Sequence, residues 1–160
     1  MIRRLLSVVR PSGTDGPGDD AAIVDTDGKL AICSDGLTFE RHKTPTMTYE
    51  QFGWMAAAVN FSDLASMGAR PTGILVSLML PPDTEEEDIC DIMCGVDRCA
   101  EYCDTYVIGG DTKEGSGSVV GTAIGNMEDR KPMTRYGANP GDLIAVTGNL
   151  GTAAAGWHSM

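Results

Sequence analysis

The sequence predicts an α/β fold of the α+β kind: a mixed or antiparallel sheet with helices on one face, rather than a doubly wound parallel sheet. Three observations predict it. Asp27-Gly28 sits between two apolar runs, the signature of an antiparallel hairpin. Two long segments, 48–69 and 83–103, carry helical spacing or a helix-start composition. Strand-like runs at 74–80, 105–108, 118–125 and 143–146 alternate with them irregularly.

In chain order, a Gly-rich stretch over 12–18 is followed by Ala21-Ala22-Ile23-Val24-Asp25 as a strand. Thr26-Asp27-Gly28-Lys29 makes the tight turn and Leu30-Ala31-Ile32-Cys33 the returning strand. Asp20 then enters the first strand and Asp35 leaves the second, which makes them neighbours at one end of an antiparallel pair. From Thr48 onward, Phe52, Met55, Ala56, Val59, Leu64 and Met67 recur at spacings close to three and four, a helical pattern. Thr48 and Gln51 form a capping-box pair, and Gly68 with Pro71 supplies the stop. The apolar run 74–80, closed by Pro81-Pro82, reads as a buried strand. Acidic residues over 83–88 suit the positive end of a helix dipole, and that helix runs to about Cys103. A strand over 105–108 ends in Gly109-Gly110-Asp111, and 118–125 and 143–146 are further strands. The segment 148–160 opens another helix, so residues 1–147 are expected to form one domain and 148–160 to begin a second.

Composition narrows the function. A chain of 160 residues, 42% of them hydrophobic, can bury a real core. Its 23 acidic residues against 12 basic ones give a net charge of −11, which opposes nucleic acid and suits divalent cations. The start, MIRRLLSVVRPSG, lacks the long apolar stretch and cleavage site of a secretory signal. No run reaches the roughly 18 uncharged apolar residues that span a bilayer. A soluble cytoplasmic protein without a membrane partner is expected. Five cysteines, an odd number, fit a reducing compartment. At about 100° per residue, Cys90 and Cys94 fall beside Glu87, Asp97 and Glu101. Cys99 and Cys103 fall on the other side, with Ile89, Ile92, Val96 and Ala100, so the four cannot close a tetrahedron around one ion.

Neither GxxxxGK[ST] nor GxGxxG after a strand is present. Instead the chain has small acidic corners: Gly18-Asp19-Asp20-Ala21, Cys33-Ser34-Asp35, Asn60-Phe61-Ser62-Asp63 and Gly109-Gly110-Asp111-Thr112. Magnesium takes an octahedron of oxygens, a few from carboxylates and the rest from waters and substrate phosphates, and several such corners together would supply it. For each corner alone, ordinary turn chemistry, in which the Asp side chain bonds its own backbone, is sufficient. Asp63 argues hardest for more, because it lies within an apolar helical pattern where an unpaired carboxylate is costly to bury. A bound cation offsets that cost, and so does a helix-to-helix bend that exposes the side chain.

The corners also carry a resemblance. GDDAA at 18–22, Ser34-Asp35, His42, VNFSDLASMGARP at 59–71, IGGDT at 108–112 and RYGANPGDLIAVTGNLGTAAAG at 135–156 together resemble the thiamine-monophosphate kinase family. That family belongs to a superfamily of ATP-dependent enzymes that includes aminoimidazole ribonucleotide synthetase. The match runs in order over nearly the whole chain and corresponds to the N-terminal half of such enzymes. It implies phosphoryl transfer from ATP to thiamine monophosphate, with Mg²⁺ ions on the phosphates. By motif, Asp20, Asp35, Asp63 and Asp111 are implied as metal ligands, assisted by Cys33 and Ser34. Gly110 is implied to lie close to ATP, Arg135 to meet its phosphates and His42 to touch the substrate. After His42 this chain has Lys43 where the family carries an aromatic residue. The resemblance further implies a homodimer whose sheets pair into a barrel, with ATP in a cleft beside that interface. It makes residues 1–147 the ATP- and Mg²⁺-binding domain and 148–160 the start of a C-terminal domain supplying further contacts, so that this half alone turns over poorly. Two alternatives stay open. One is a related superfamily member of the hydrogenase-maturation or synthetase type with another substrate, although no cysteine precedes Cys33. The other is a non-catalytic nucleotide-binding dimerisation module.

Overall fold

A computed structural model describes residues 7–8, 28–134 and 137–159. Asp20, Arg135 and the strand expected over 21–25 lie outside these residues. The elements in order are β1 (Leu30–Thr38), α1 (Phe39–His42), α2 (Tyr49–Ser66), β2 (Arg70–Leu80), α3 (Glu86–Tyr102), β3 (Val107–Glu114), β4 (Ser118–Asn126) and α4 (Thr152–Ser159). Four strands form one sheet in the order β1-β4-β2-β3. β4 is antiparallel to both neighbours, and β2 and β3 are parallel. A parallel pair needs a crossover, and α3 provides it. The sheet is therefore mixed, as the sequence predicts.

One face of the sheet is the core. Ile74, Val76, Leu78 and Leu80 of β2 meet Val119 and Ala123 of β4 and Leu37 of β1 there, all buried. Helices α2 and α3 cover that face, with Phe52, Ala56, Leu64, Ile92 and Val96 as their buried contribution. Helix α2 packs on β1, β2, β4 and α3, so it is apolar on more than one side, as a helix enclosed by other layers must be. Its start is fixed by reciprocal bonds: the Gln51 N–H donates to Thr48 Oγ1 at 3.1 Å and the Thr48 N–H to Gln51 Oε1 at 3.0 Å. Its end is a turn through Gly68 at φ +77°. Where α2 and α3 cross, each presents a glycine. A Cβ on Gly53 would collide with the Ile92 carbonyl, and one on Gly95 with the Glu50 carbonyl. The opposite sheet face is not covered among the described residues, and Ile32 on it is 64% exposed.

Several local expectations change. β1 continues to Thr38, so Asp35 lies within a strand and not at its end, in register with Gly121. β3 starts at Val107 and carries Gly109-Gly110-Asp111 inside it. The glycine pair is there for sheet packing, since a Cβ on Gly110 would strike the Val76 carbonyl oxygen. β2 begins at Arg70, and its register with β4 slips at Pro71–Gly73, where proline has no N–H to give. His42 ends the one-turn helix α1. Residues 143–146 form no strand. Leu143 and Ile144 are 97% and 96% exposed, because no strand among the described residues pairs with them.

On α3, Cys90 and Asp97 are both buried, although they share the stripe of Glu87 and Glu101, because α2 presses on that side. All five cysteines are free thiols. Burial, with the neighbouring Cys103 thiol adding to it, pushes the Cys99 thiol up to about 12. Above the ordinary thiol value the unfolded chain loses a proton that the folded chain keeps, so stability falls as pH rises toward 12. Urea midpoints measured through that alkaline range should therefore drop, and Cys99→Ala should flatten the slope.

Candidate functional site

Two of the acidic corners come together beside β1. An open cleft of about 640 Å³ lies between β1, the last turn of α2 and residues 133–134, lined among others by Ala31, Cys33, Asp63, Met67, Met133 and Thr134. Its far wall is held by bonds to two main-chain carbonyls. The Met133 N–H donates to the Met67 carbonyl at 3.1 Å, and Arg130 donates to the Gly68 carbonyl at 3.1 Å. Arg135 follows Thr134 in sequence, outside the described residues.

Cys33 is the centre of this group. Burial raises its thiol, and the carboxylates of Asp63 and then Asp35 raise it further. The thiol is thus neutral, with both carboxylates near enough to act on it, and it donates to the Asn60 carbonyl at 3.2 Å. Asp35 is held through its main chain: its N–H donates to Asn60 Oδ1 at 2.9 Å, and its own Oδ1 accepts the Gly36 N–H at 2.8 Å. Asp63 is exposed, so no burial cost attaches to it, and α2 runs unbroken through it to Ser66. Its anomaly is electrostatic. It stands in the last turn of a helix that has no basic residue there, where the dipole is negative. A carboxylate and a helix C-terminus at one cleft mouth favour a cation.

The remaining candidates separate by face. Along the sheet, Asp35, Gly121, Val76 and Gly110 stand in one cross-strand row, and Gly36, Val120, Ser77 and Asp111 in the next. Adjacent rows point to opposite faces. Asp35 and Cys33 therefore share the helix side, while Ser34 and Asp111 belong to the open side. Ser34 Oγ lies 3.0 Å from Thr122 Oγ1 and donates to the Gly121 carbonyl at 2.9 Å. Asp111 accepts the Thr112 N–H at 2.8 Å and pairs with Lys113 at 3.5 Å. With three strand spacings between β1 and β3, Asp111 is on the order of 14 Å from Asp35. Among the described residues no three of His, Cys, Asp and Glu are placed to hold one metal ion.

The donors present still fit magnesium. It binds through one or two carboxylates, completes its shell with phosphate oxygens and water, and has no use for a protonated thiol. The carboxylates of Asp35 and Asp63 have the oxygen chemistry such a site would use, and the protonated Cys33 thiol does not. His42 lies past the end of β1, and its Nδ1 accepts the Thr38 N–H at 2.9 Å, which assigns the proton to Nε2. Lys43 extends over the Tyr49 ring at 4.4 Å. Asn60 is the residue that sequence reasoning passed over. Its signal was a carboxamide three positions before Asp63 amid apolar neighbours, where only a satisfied polar group survives burial.

Residues 18–127 match the family described as AIR synthase related protein, N-terminal domain. A thiamine-monophosphate kinase of Methanospirillum hungatei is 41% identical over 96% of this chain and 54% of its own length. The crystal structure of thiamine-monophosphate kinase from Stenotrophomonas maltophilia superposes with a TM-score of 0.64 at 33% identity, over 78% of this chain and 40% of that one. The AaThiL complex with AMPPCP and TMP gives 0.59 at 30% identity, over 71% and 37%. The chain spans about half the length of the curated relatives it matches.

Proposed function

Since the chain belongs to the family of AIR synthase related proteins through their N-terminal domain, we propose that it is the nucleotide-binding half of a thiamine-monophosphate kinase. The proposed reaction is transfer of the γ-phosphoryl group of ATP to thiamine monophosphate, giving thiamine diphosphate. The observation that carries the reading is that Asp63 and Cys33 line one cleft, with Asp35 two residues further along β1 and close enough to Cys33 for its charge to act on the thiol. Similarity to a structure holding AMPPCP and TMP supports both ligands.

Phosphoryl transfer asks the protein for positioning and charge neutralisation more than for covalent chemistry. When bound, Mg²⁺ neutralises the phosphate oxygens. In this reading Asp35 and Asp63 would hold one ion on the helix side of the sheet, Ser34 and Asp111 would serve a second on the open face, and Asp20 would add a further carboxylate. Arg135, next to the cleft in sequence, supplies a fixed cation with paired N–H donors for the phosphates. Gly110 leaves the backbone of β3 bare for close approach of ATP, and His42 offers Nε2–H to the substrate. Ser34 and Asp111 lie on the uncovered sheet face, which supports a homodimer closed through that face into a barrel. The cytoplasm, where ATP and Mg²⁺ are abundant, is the proposed compartment.

Calorimetry tests the reading. Binding of ATP that requires Mg²⁺ and tightens with thiamine monophosphate supports it. ATP binding indifferent to thiamine monophosphate would point to another substrate in the same superfamily, and no ATP binding would refute both.

A further inference from the structure

Asn60 is wholly buried, with 0% of its surface exposed, and every polar atom of its side chain is used. Oδ1 accepts the Asp35 N–H at 2.9 Å. Nδ2 donates to the Asp35 carbonyl at 3.3 Å and to the Ala56 carbonyl at 2.9 Å. Its main-chain carbonyl accepts the Cys33 thiol at 3.2 Å. The carboxamide thus reads the peptide groups on both sides of one residue, Asp35, and is anchored to its own helix at Ala56. Space for it comes from β4, since a Cβ on Gly121 would overlap Asn60 Nδ2.

The pairing is chemically specific. A carboxamide offers an acceptor and two N–H donors together, as a peptide group requires, whereas a carboxylate has no donor and an alanine has neither. It is also placed with purpose. One helical turn separates Asn60 from Asp63, so a single side chain joins the strand that carries one carboxylate to the turn that carries the other. Taking Asp35 and Asp63 as the cation ligands proposed for this site, we infer that Asn60 is the positioning residue that sets their separation. It touches neither ion nor nucleotide. It fixes Asp35 by its backbone and occupies neither carboxylate oxygen, of which Oδ1 accepts the Gly36 N–H.

The test reads the Mg²⁺ concentration giving half-maximal binding of a non-hydrolysable ATP analogue to the full chain, in wild type, Asn60→Ala, Asp35→Asn and the double variant. Outer partners of metal ligands typically alter affinity 10- to 100-fold, so Asn60→Ala should raise the half-saturating Mg²⁺ about tenfold. Metal-free affinity for the analogue should not move, and on the Asp35→Asn background the second substitution should add nothing, because its effect passes through Asp35. A wild-type Mg²⁺ requirement in Asn60→Ala, with a raised one in Asp35→Asn, overturns the role of Asn60 and leaves the site reading intact. So does an equal effect of Asn60→Ala with and without Asp35, which marks a purely structural pin. An unchanged requirement in Asp35→Asn sinks the site reading, and the role of Asn60 with it. Should Asn60→Ala lack a cooperative melt, Asn60→Asp is read the same way, since it keeps the acceptor and removes both donors.

Discussion

Asp63→Asn is expected to weaken Mg²⁺-dependent nucleotide binding at least tenfold, about 1.4 kcal/mol, while the fold becomes slightly more stable. The two effects have one cause. Asp63 stands in the last turn of α2, where the helix end is already negative and no basic residue offsets it. Removing a carboxylate from such a position relieves about 0.3–1 kcal/mol. The same negative potential attracts a cation, so its loss is felt by the ligand. Calorimetry with and without Mg²⁺, paired with thermal melts, checks both signs. Unchanged binding would remove Asp63 from the ligand set. A fall in stability would show that the side chain has a structural role, whereas the bonds from Ser66 Oγ at 2.8 Å and the Met67 N–H at 3.2 Å go to its main-chain carbonyl.

Gly53→Ala should have the largest effect on stability, a loss of about 3 kcal/mol, the upper part of the range for overpacked interiors. A methyl group at that position meets the carbonyl of Ile92, which is backbone inside a helix and cannot swing aside. Gly95 makes the reverse contact with the carbonyl of Glu50, so α2 and α3 approach through two glycines and separate if either gains a side chain. Since α2 also carries Asn60 and Asp63, a displaced helix should lose Mg²⁺-dependent binding as well. A urea midpoint unchanged in Gly53→Ala would contradict the crossing geometry.

What could be read from the sequence was mostly local. The Thr48–Gln51 cap, the stop at Gly68, the run 74–80 and the acidic opening of α3 each depend on residues within a few positions of one another, and each is present. The errors came where a distant partner decides. Gly109-Gly110-Asp111 looks like a strand end until β2 is laid beside it, when the Val76 carbonyl explains the bare Gly110. The run 143–146 has strand composition, but composition without a partner strand leaves Leu143 and Ile144 in solvent. The four acidic corners look like one site because their motifs are alike. The order β1-β4-β2-β3 and the alternation of side chains then separate Asp111 from Asp35 by the width of the sheet and by its two faces. Nothing in the local sequence encodes strand order. Asn60 carries no local mark of its role for the same reason, since its partners are 25 and 27 residues away on β1.

Asp35 and Asp63 are proposed to hold a divalent cation against a nucleotide near Cys33. Replacing Mg²⁺ by paramagnetic Mn²⁺ in the presence of a non-hydrolysable ATP analogue, and recording which backbone amide resonances broaden, locates the ion directly. The strongest broadening is expected at Cys33, Asp35 and Gly36 of β1 and around Asp63 of α2. Broadening centred on the exposed carboxylates Glu86 and Glu87 at the start of α3, with Asp35 and Asp63 unaffected, would contradict it.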